Sequence, residues 1–335
     1  MKANSLWDEI AKKYGPFGAF KQTRALGMTR QWMDLQYYLD RWDIPDKIIV
    51  GTAGVGNFIT SEQNPNQPFK TEELVRQFCA CIDLGASSIH THARDEKGGR
   101  LDYGPIDKAL PVYHAILDSV KKYAPNIVVE GGAGFYYGEK FEDSVMALDE
   151  GLFEVAYLHP IPGMMGDGVT SFSPKFDPQA LAEYCERKGI KPCIDVHDTQ
   201  NILLAKKWLV EPGILSKPTF WHILGPGPGG FIYMPNIRAM TEGLVYLVDQ
   251  IRSVDPDAVI YVSMNGRATF YITVFAMMMG LHVRVGMEDT VWRYPHKDDM
   301  IQSNVEIVRQ TIEVAKYLGR TPATSDEYRK IVGLR

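Results

Sequence analysis

The sequence predicts an α/β protein folded as a (β/α)8 barrel, and three observations support this prediction. Eight short runs rich in β-branched and aromatic residues alternate with helical patterns. The alternation extends over roughly 275 residues, which is the size of one such barrel. Residues able to bind metals or move protons follow several of the runs, and barrels place their active sites at the carboxyl ends of their strands. Periodicity alone leaves a doubly wound open sheet as the second interpretation.

The eight predicted strands are 47–53, 86–92, 126–131, 153–159, 191–198, 218–224, 258–264 and 282–286. A first helix opens at Thr71, and the later helices are predicted over 105–123, 139–149, 178–188, 199–209, 235–252, 268–279 and 300–318. Residues 1–45 lack this rhythm and are rich in aromatic and basic side chains, so we predict an N-terminal helical extension there. The catalytic barrel domain is predicted over 46–335.

Composition excludes several classes of partner. A formal net charge of −5 gives no electrostatic reason to expect nucleic acid or an anionic membrane. The longest apolar run, 271–281, is far shorter than the roughly 20 residues of a membrane span. Residues 1–14 lack the apolar core of a signal peptide. The four cysteines show no paired framework. We therefore expect a cytoplasmic protein with reduced thiols.

The end of the second predicted strand carries two histidines, His90 and His92. Side chains of a strand alternate between its two faces, so histidines two positions apart point the same way. Two imidazoles on one face indicate a metal site. Arg94 and Asp95 follow at once, and they are interpreted either as a loop ion pair or as further site residues.

The end of the eighth predicted strand carries Arg284, Glu288 and Asp289. Glu288 can supply the carboxylate that completes a set of two histidines and one acid. A carboxylate on a metal and another beside an arginine have different pKa values, which is how neighbouring acids divide catalytic roles. A helix cap or a solvated loop is the alternative interpretation of these acids.

Glycine clusters after two other strands indicate ligand binding by the backbone. Gly229 and Gly230 end a Gly/Pro-rich loop after strand six, whose amides could hold phosphate or carboxylate oxygens. Gly131 and Gly132 after strand three form a similar segment, and a rigid turn is the alternative for both. His159, after strand four, is a further candidate pocket residue. The glycines at 51, 54 and 56 do not have the spacing of a dinucleotide fingerprint.

With these residues in place, the chain resembles the β-keto acid cleavage enzyme family of metal-dependent (β/α)8 proteins. The matching pieces extend over most of the chain from Lys47 to Leu334. They are 71–73, 85–95, 224–230, 265–267, 280–289 and a tail between 315 and 334. The pair formed by 89–95 and 280–289 is the most specific of these motifs.

The resemblance implies Zn²⁺ held by His90, His92 and Glu288, with manganese, cobalt or iron as open alternatives. It implies that Asp289 and Arg284 act as a proton-handling pair. Family members react a β-keto acid with acetyl-CoA, giving acetoacetate and a new CoA ester by a retro-Claisen step, and a homotetramer is their common assembly. The expected substrate-binding residues are Gly131, Gly132, His159, Gly229, Gly230, Asn265 and Arg267.

The chain departs from the family pattern after three strands. It has 54–58 (Gly-Val-Gly-Asn-Phe) where the family has an acidic residue, 131–133 (Gly-Gly-Ala) where Ser-Thr is frequent, and His159 with 160–162 near a family threonine. These positions hold the substrate in the family, so the resemblance implies a conserved metal core with a different pocket. Two rival hypotheses follow. One is a CoA-independent, metal-dependent retro-aldol or hydrolytic cleavage of a related β-dicarbonyl compound, and the other is a non-catalytic metal- or ligand-binding barrel.

Overall fold

The chain forms two compact units, Met1–Ile44 and Pro45–Arg335, in a computed structural model. The structure describes residues 5–14, 41–102, 105–131, 141–160, 162–165, 169–172, 176–225 and 235–334. In the first unit the described helix is α1, Ser5–Tyr14. Most of the N-terminal extension predicted over 1–45 lies outside the described residues, so that prediction stays open.

The second unit contains twelve described strands, numbered here in chain order. They are β1 Lys47–Ile48, β2 Val50–Ala53, β3 Ser88–His90, β4 Val128–Glu130, β5 Val155–Leu158, β6 Pro162–Met165, β7 Val169–Phe172, β8 Lys191–Val196, β9 Phe220–Leu224, β10 Val259–Ser263, β11 His282–Val285 and β12 Thr321–Pro322.

Eight of these strands close a barrel in the order β2-β3-β4-β5-β8-β9-β10-β11. The neighbouring strands are all parallel. The pairing of β11 with β2, in which Val283 lies opposite Val50, closes the ring. The (β/α)8 barrel predicted from the sequence is therefore confirmed, and the open sheet is excluded.

Helices follow the strands, and all of them except α1 in the first unit and the last, α10, cover the outside of the barrel. They are α2 Thr71–Leu84, α3 Ile106–Tyr123, α4 Phe141–Asp149, α5 Phe176–Lys188, α6 Thr199–Ala205, α7 Ile237–Val254, α8 Thr269–Met278, α9 Asn304–Tyr317 and α10 Ser325–Val332. Local signals fix several of their ends. Asp198 caps α6 and Thr324 caps α10, each in a capping box. Ser303 caps α9 by accepting from the Glu306 amide.

Alternate residues of each strand point into the barrel, and this parity fixes which side chains meet at its centre. The registers Ala53↔His90 and His90↔Glu130 place these side chains at one level. Asp195↔His222 and His222↔Tyr261 do the same on the other side of the ring. Residues of the opposite parity are almost entirely apolar and pack against the helices.

The floor of the barrel is closed by the C-terminal helix α10. Tyr328 and Val332 are fully buried and pack with the inward side chains of the lower strand ends. Arg329 forms a bidentate ion pair with Glu154, at 2.7 and 2.9 Å, which ties the helix to the residue before β5. Because α10 closes this end, the carboxyl ends of the strands form the open mouth of the barrel.

Four features differ from the prediction. The strand predicted at 47–53 divides, because β1 pairs with β12 outside the barrel. The helix predicted at 199–209 is α-helical only to Ala205 and continues as a π-helical turn, Lys206–Val210. The antiparallel hairpin β6–β7 and the helix α10 were not predicted. The hairpin lies in a Pro/Gly/Met-rich stretch without alternation, and α10 is too short to give a clear period.

None of the helices in the described ranges combines the length and the apolar character that a bilayer crossing requires.

Arg320 is a buried clamp at the lower end of the barrel, and its replacement by lysine should destabilise the fold. The guanidinium donates to five backbone carbonyls, those of Pro45, Lys47, Met277, Gly280 and Leu281. An ammonium has three donors and no planar fork, so Arg320→Lys leaves buried carbonyls unsatisfied. We expect the free energy of unfolding to fall by about 1–3 kcal/mol in urea denaturation. The exposed substitution Lys330→Arg is the control, and equal stability of the two variants would contradict the clamp.

Candidate metal centre and active site

The two strand ends singled out in the sequence lie on either side of β2, at the mouth of the barrel. His90 Nε2 lies 3.2 Å from His92 Nε2 and 3.2 Å from Glu288 Oε2. His92 Nε2 lies 3.7 Å from Glu288 Oε1. One ligand atom from each residue lies within 4.8 Å of the other two. Spacings of this size suit donor atoms arranged around one cation, since tetrahedral zinc with bonds of about 2.0–2.1 Å separates its ligands by little more than 3 Å.

Both imidazoles are oriented through their second ring nitrogen. His90 Nδ1 lies 3.1 Å from the backbone carbonyl oxygen of Glu130, and His92 Nδ1 lies 2.6 Å from Asp102 Oδ2. A proton on each Nδ1 makes these hydrogen bonds, which leaves the lone pair of each Nε2 directed into the cluster. Metal-binding histidines are held in this way, by a carbonyl or carboxylate behind the ring.

Asp102 is a site residue that the sequence analysis missed. It is completely buried, and besides His92 it accepts hydrogen bonds from the Ala93 amide, the Tyr113 hydroxyl and the Asn57 amide group, at 3.1, 3.0 and 3.2 Å. A lone Asp in a loop ten positions after His92 has no periodicity or motif to mark it. Only the fold shows that it lies behind the ring.

Arg284 contacts both acids at the end of β11. Its Nη2 lies 3.2 Å from Glu288 Oε1 and 3.0 Å from Asp289 Oδ1, and its Nη1 lies 3.5 Å from the Tyr157 hydroxyl. Asp289 Oδ2 is buried and accepts no hydrogen bond from the described residues, and the same holds for Glu288 Oε2. Two carboxylate oxygens are thus buried without a donor, one facing His90 and one on Asp289.

The electrostatics of the cluster favour a positive charge between the rings. Burial opposes protonation of His92, but Glu288 and Asp102 outweigh it and raise the pKa of His92 to about 10. Burial alone would raise the pKa of Glu288, yet His90, Arg284 and His92 hold that pKa well below its usual range. The anionic carboxylate therefore stabilises a proton, or a metal cation in its place, among the three ligands.

The pKa of Asp289 shifts in the direction opposite to that of Glu288. Burial raises the pKa of Asp289 to about 7, since the lowering effect of Arg284 is countered by the neighbouring charge of Glu288. The two adjacent acids thus have pKa values far apart, as expected when one binds a cation and the other exchanges protons.

Close backbone approach makes room for Glu288. A Cβ at Gly56 would lie 2.3 Å from Cγ of Glu288, so a side chain at this position would displace the carboxylate. Arg94 donates to the Gly56 carbonyl and fixes the loop after β2. Asn304, at the start of α9, accepts from the Met287 amide and donates to the Gly54 carbonyl, which joins the ends of β11 and β2.

The predicted substrate-binding residues have different surroundings. Gly131 follows β4 beside the cluster, and a Cβ there would lie 3.3 Å from His90 Nδ1. Asn265 is half-buried and adjoins Gly266, whose amide donates to the Asp289 carbonyl at 2.8 Å. Gly132, Gly229 and Gly230 lie outside the described residues.

The described contacts of Arg267 are with residues that do not belong to the cluster. Arg267 donates to the Lys297 carbonyl, pairs with Asp298 at 2.5 Å, and its guanidinium carbon lies 3.9 Å from the ring centroid of Trp292. A role for Arg267 in binding substrate therefore stays a prediction.

His159 belongs to a second group of titratable side chains. Its Nδ1 lies 3.1 Å from Asp195 Oδ2, and Asp195 also approaches His197 and His222. The sequence analysis did not single out Asp195 or His222. The signal was present, because Asp195 and His197 are two apart on a strand, as His90 and His92 are.

The first cluster can hold a divalent cation and place a proton-exchanging carboxylate beside it. Two oriented imidazoles, one anionic carboxylate with a buried oxygen that lacks a donor, and the glycine that makes room for it fit a metal of the zinc class.

Comparisons with known proteins identify relatives of the whole barrel. A family model described as beta-keto acid cleavage enzyme matches residues 47–334. The 3-keto-5-aminohexanoate cleavage enzyme of Acetoanaerobium sticklandii is 29% identical over 296 residues, covering 86% of this chain and 99% of that protein. The 3-oxoadipate:acetyl-CoA acetyltransferase of Cupriavidus necator is 25% identical over 292 residues, covering 85% and 94%. The resemblance seen in the sequence is thereby confirmed.

The fold also has solved relatives. An apo structure of ObcA superposes with a TM-score of 0.62 at 20% identity, covering 81% of this chain. The chain spans 66% of the length of that structure. At this identity the likeness shows the fold alone.

Replacing Asp102 by asparagine should weaken metal binding without removing a ligand. The variant keeps the shape of the side chain but loses the charge that orients His92, and such changes typically cost about 10–100-fold in metal affinity. Competition with a chromophoric chelator measures the dissociation constant. Asp107→Asn, an exposed change in the first turn of α3, is the matched control. If the Asp102→Asn protein binds metal as tightly as the control, Asp102 does not orient the ligand.

Proposed function

The chain belongs to the β-keto acid cleavage enzyme family of carbon–carbon-cleaving acyltransferases, and we propose that it reacts a β-keto acid with acetyl-CoA. The products are acetoacetate and a new CoA ester. The carrying observation is that His90, His92 and Glu288 converge on one point, next to the Arg284–Asp289 pair. A metal site with a proton-exchanging carboxylate beside it is what an enolate-forming cleavage requires.

We propose that His90, His92 and Glu288 hold Zn²⁺. A cation bound there acts as a Lewis acid that stabilises negative charge developing on the keto oxygen. Glu130 and Asp102 support this role, because they accept from the second nitrogens of the two imidazoles and fix the direction of each Nε2.

Asp289 is the proposed general base. Its Oδ2 has no described hydrogen-bond donor, so it can accept the proton from the carbon between the keto and carboxylate groups. A pKa of about 7 lets the carboxylate release that proton again near neutral pH. Arg284 holds the other oxygen at 3.0 Å and thereby sets the direction in which Oδ2 points.

Relatives support acetyl-CoA as co-substrate. One is named 3-oxoadipate:acetyl-CoA acetyltransferase and another, from Paraburkholderia graminis, 3,5-dioxohexanoate:acetyl-CoA acetone transferase. A solved ObcA structure holds a C4-CoA adduct and oxalate. We extend CoA use from these proteins to this chain as part of the proposal.

The remaining parts of the proposal concern binding and assembly. Gly131, Gly132, His159, Gly229, Gly230, Asn265 and Arg267 are proposed to bind the substrates at the mouth of the barrel domain, 46–335. We also propose a homotetramer, as is common in the family, and a cytoplasmic location. Four free cysteines support the cytoplasmic location, since a reducing compartment keeps thiols unpaired.

Replacing Asp289 by asparagine should abolish proton transfer while leaving the metal in place. We expect kcat to fall by about 10²–10⁴-fold, the usual contribution of a positioned base. Elemental analysis of the same preparation should find the metal content of the wild-type protein. Asp249→Asn, an exposed change on α7, should retain full activity. An Asp289→Asn protein with wild-type kcat would remove this residue from the mechanism.

The reaction itself is tested with a panel of β-keto acids that includes 3-oxoadipate and 3-keto-5-aminohexanoate. We expect acetoacetate and a new CoA ester in equal amounts, formed only when acetyl-CoA is present. The His90→Ala, His92→Ala double variant should lose metal and activity together, because it lacks two of three ligands. Full activity of a metal-free protein would overturn the proposal. Free acid formed without any thioester would instead favour the CoA-independent cleavage.

A further inference from the structure

We propose that the barrel contains a second divalent-cation site, formed by His159, Asp195 and His197. The three side chains project from the mouth ends of β5 and β8, two strands that are hydrogen-bonded neighbours. Nothing in the mechanism above uses Asp195 or His197. Together they offer two imidazole nitrogens and one carboxylate oxygen, which is a donor set for a borderline transition-metal ion.

The spacing of the ligand atoms fits one shared cation. Asp195 Oδ2 lies 3.1 Å from His159 Nδ1 and 4.0 Å from His197 Nε2. One ligand atom from each residue lies within 4.8 Å of the others, the same limit that the first cluster meets. A small inward movement of His197 would bring its Nε2 to the separation found among the ligands of the first cluster.

His197 is oriented as a metal ligand is. Its Nδ1 donates to the Leu224 carbonyl oxygen at 3.0 Å, so its Nε2 faces Asp195. His90 is held in the same way by the Glu130 carbonyl. In both clusters a backbone carbonyl at the end of the neighbouring strand fixes the tautomer of the histidine.

Asp195 is held in place by a fourth residue, His222. Its Nδ1 lies 2.7 Å from Asp195 Oδ1, and its Nε2 lies 2.8 Å from the Ser263 hydroxyl. This contact leaves Oδ2 as the oxygen directed at His159 and His197. A ligating carboxylate with its other oxygen engaged by a neighbour is the usual arrangement around a bound metal.

The charge balance also favours a cation. Asp195 and His197 are each 3% exposed. A carboxylate removed from water is costly unless an opposite charge compensates it, and a divalent ion in direct contact would do so.

The second site is distinct from the first but lies near it. Tyr157 separates the two, because its ring centroid lies 5.5 Å from that of His90 and 5.3 Å from that of His222. The ligand sets share no residue. The two ions would therefore occupy opposite sides of the same barrel mouth, and each can be removed by substitutions that leave the other intact.

Metal stoichiometry tests this proposal. The purified chain is stripped with a chelator, incubated with excess Co²⁺, freed of unbound ion by gel filtration, and analysed for cobalt per chain. We expect two in the wild-type protein and one each in Asp195→Asn, His159→Ala and the His90→Ala, His92→Ala double variant. The visible absorption of Co²⁺ should show two components and lose a different one in each class of variant.

A surface control distinguishes a built site from adventitious binding. His114 lies 3.1 Å from Asp118 and 3.3 Å from Glu150 on the exposed side of α3, so His114→Ala should retain two ions. One cobalt in the wild-type protein, absent from the His90→Ala, His92→Ala variant, would overturn the second site and leave the first. A second cobalt that persists in both Asp195→Asn and His159→Ala would overturn it as well. Far-ultraviolet circular dichroism checks that each variant is folded, and a single cobalt in the wild-type protein overturns the second site even if the variants do not fold.

Discussion

The guanidinium of Arg284 is the contact on which the two buried acids that follow β11 depend. It lies against Glu288 and Asp289, and an uncompensated ion of this kind costs several kcal/mol in a protein interior. In the same barrel interior, the buried carboxylate of Glu130 accepts from three phenols, those of Tyr157, Tyr261 and Tyr328, at 2.7, 3.3 and 2.9 Å. Tyr157 joins Glu130 to Arg284, because its hydroxyl donates to the Glu130 carboxylate and lies 3.5 Å from Nη1 of Arg284. The metal cluster, Arg284 and Glu130 therefore belong to one connected network.

The sequence predicted the fold and the two strand ends at the metal cluster because both depend on local pattern. Eight apolar strands that alternate with amphipathic helices can bury their apolar faces in only a few architectures. Among these, the barrel is the architecture in which the sheet closes on itself. His90 and His92 are recognisable because strand geometry puts alternate residues on one face. Glu288 and Asp289 were found because they end another such run. The convergence of the two ends, by contrast, follows from the strand order, with only β2 between them.

Other site residues could not be predicted because their roles arise from contacts between distant segments. Asp102 reaches His92 from a loop that has no pattern of its own. Asn304 joins β2 and β11 from the first turn of a helix, where its sequence signal is only that of a helix start. Asp195 was overlooked for a different reason, since its strand is apolar enough to be taken for plain core. His222 pairs with it only because β8 and β9 are neighbours.

The pairing that closes the barrel has a consequence for how the chain reaches this state. The Ile49 amide donates to His282 Nδ1 at 3.0 Å across 233 positions of sequence, so β2 gains its second neighbour only after nearly every other strand has formed. Loop closure over such a distance is entropically costly, and parallel pairs of high sequence separation form slowly. Until then β2 and β11 each present an unsatisfied edge, which is the kind of surface that pairs with other chains. Aggregation during refolding should therefore start at the unpaired edges of β2 and β11 rather than at the exposed helices.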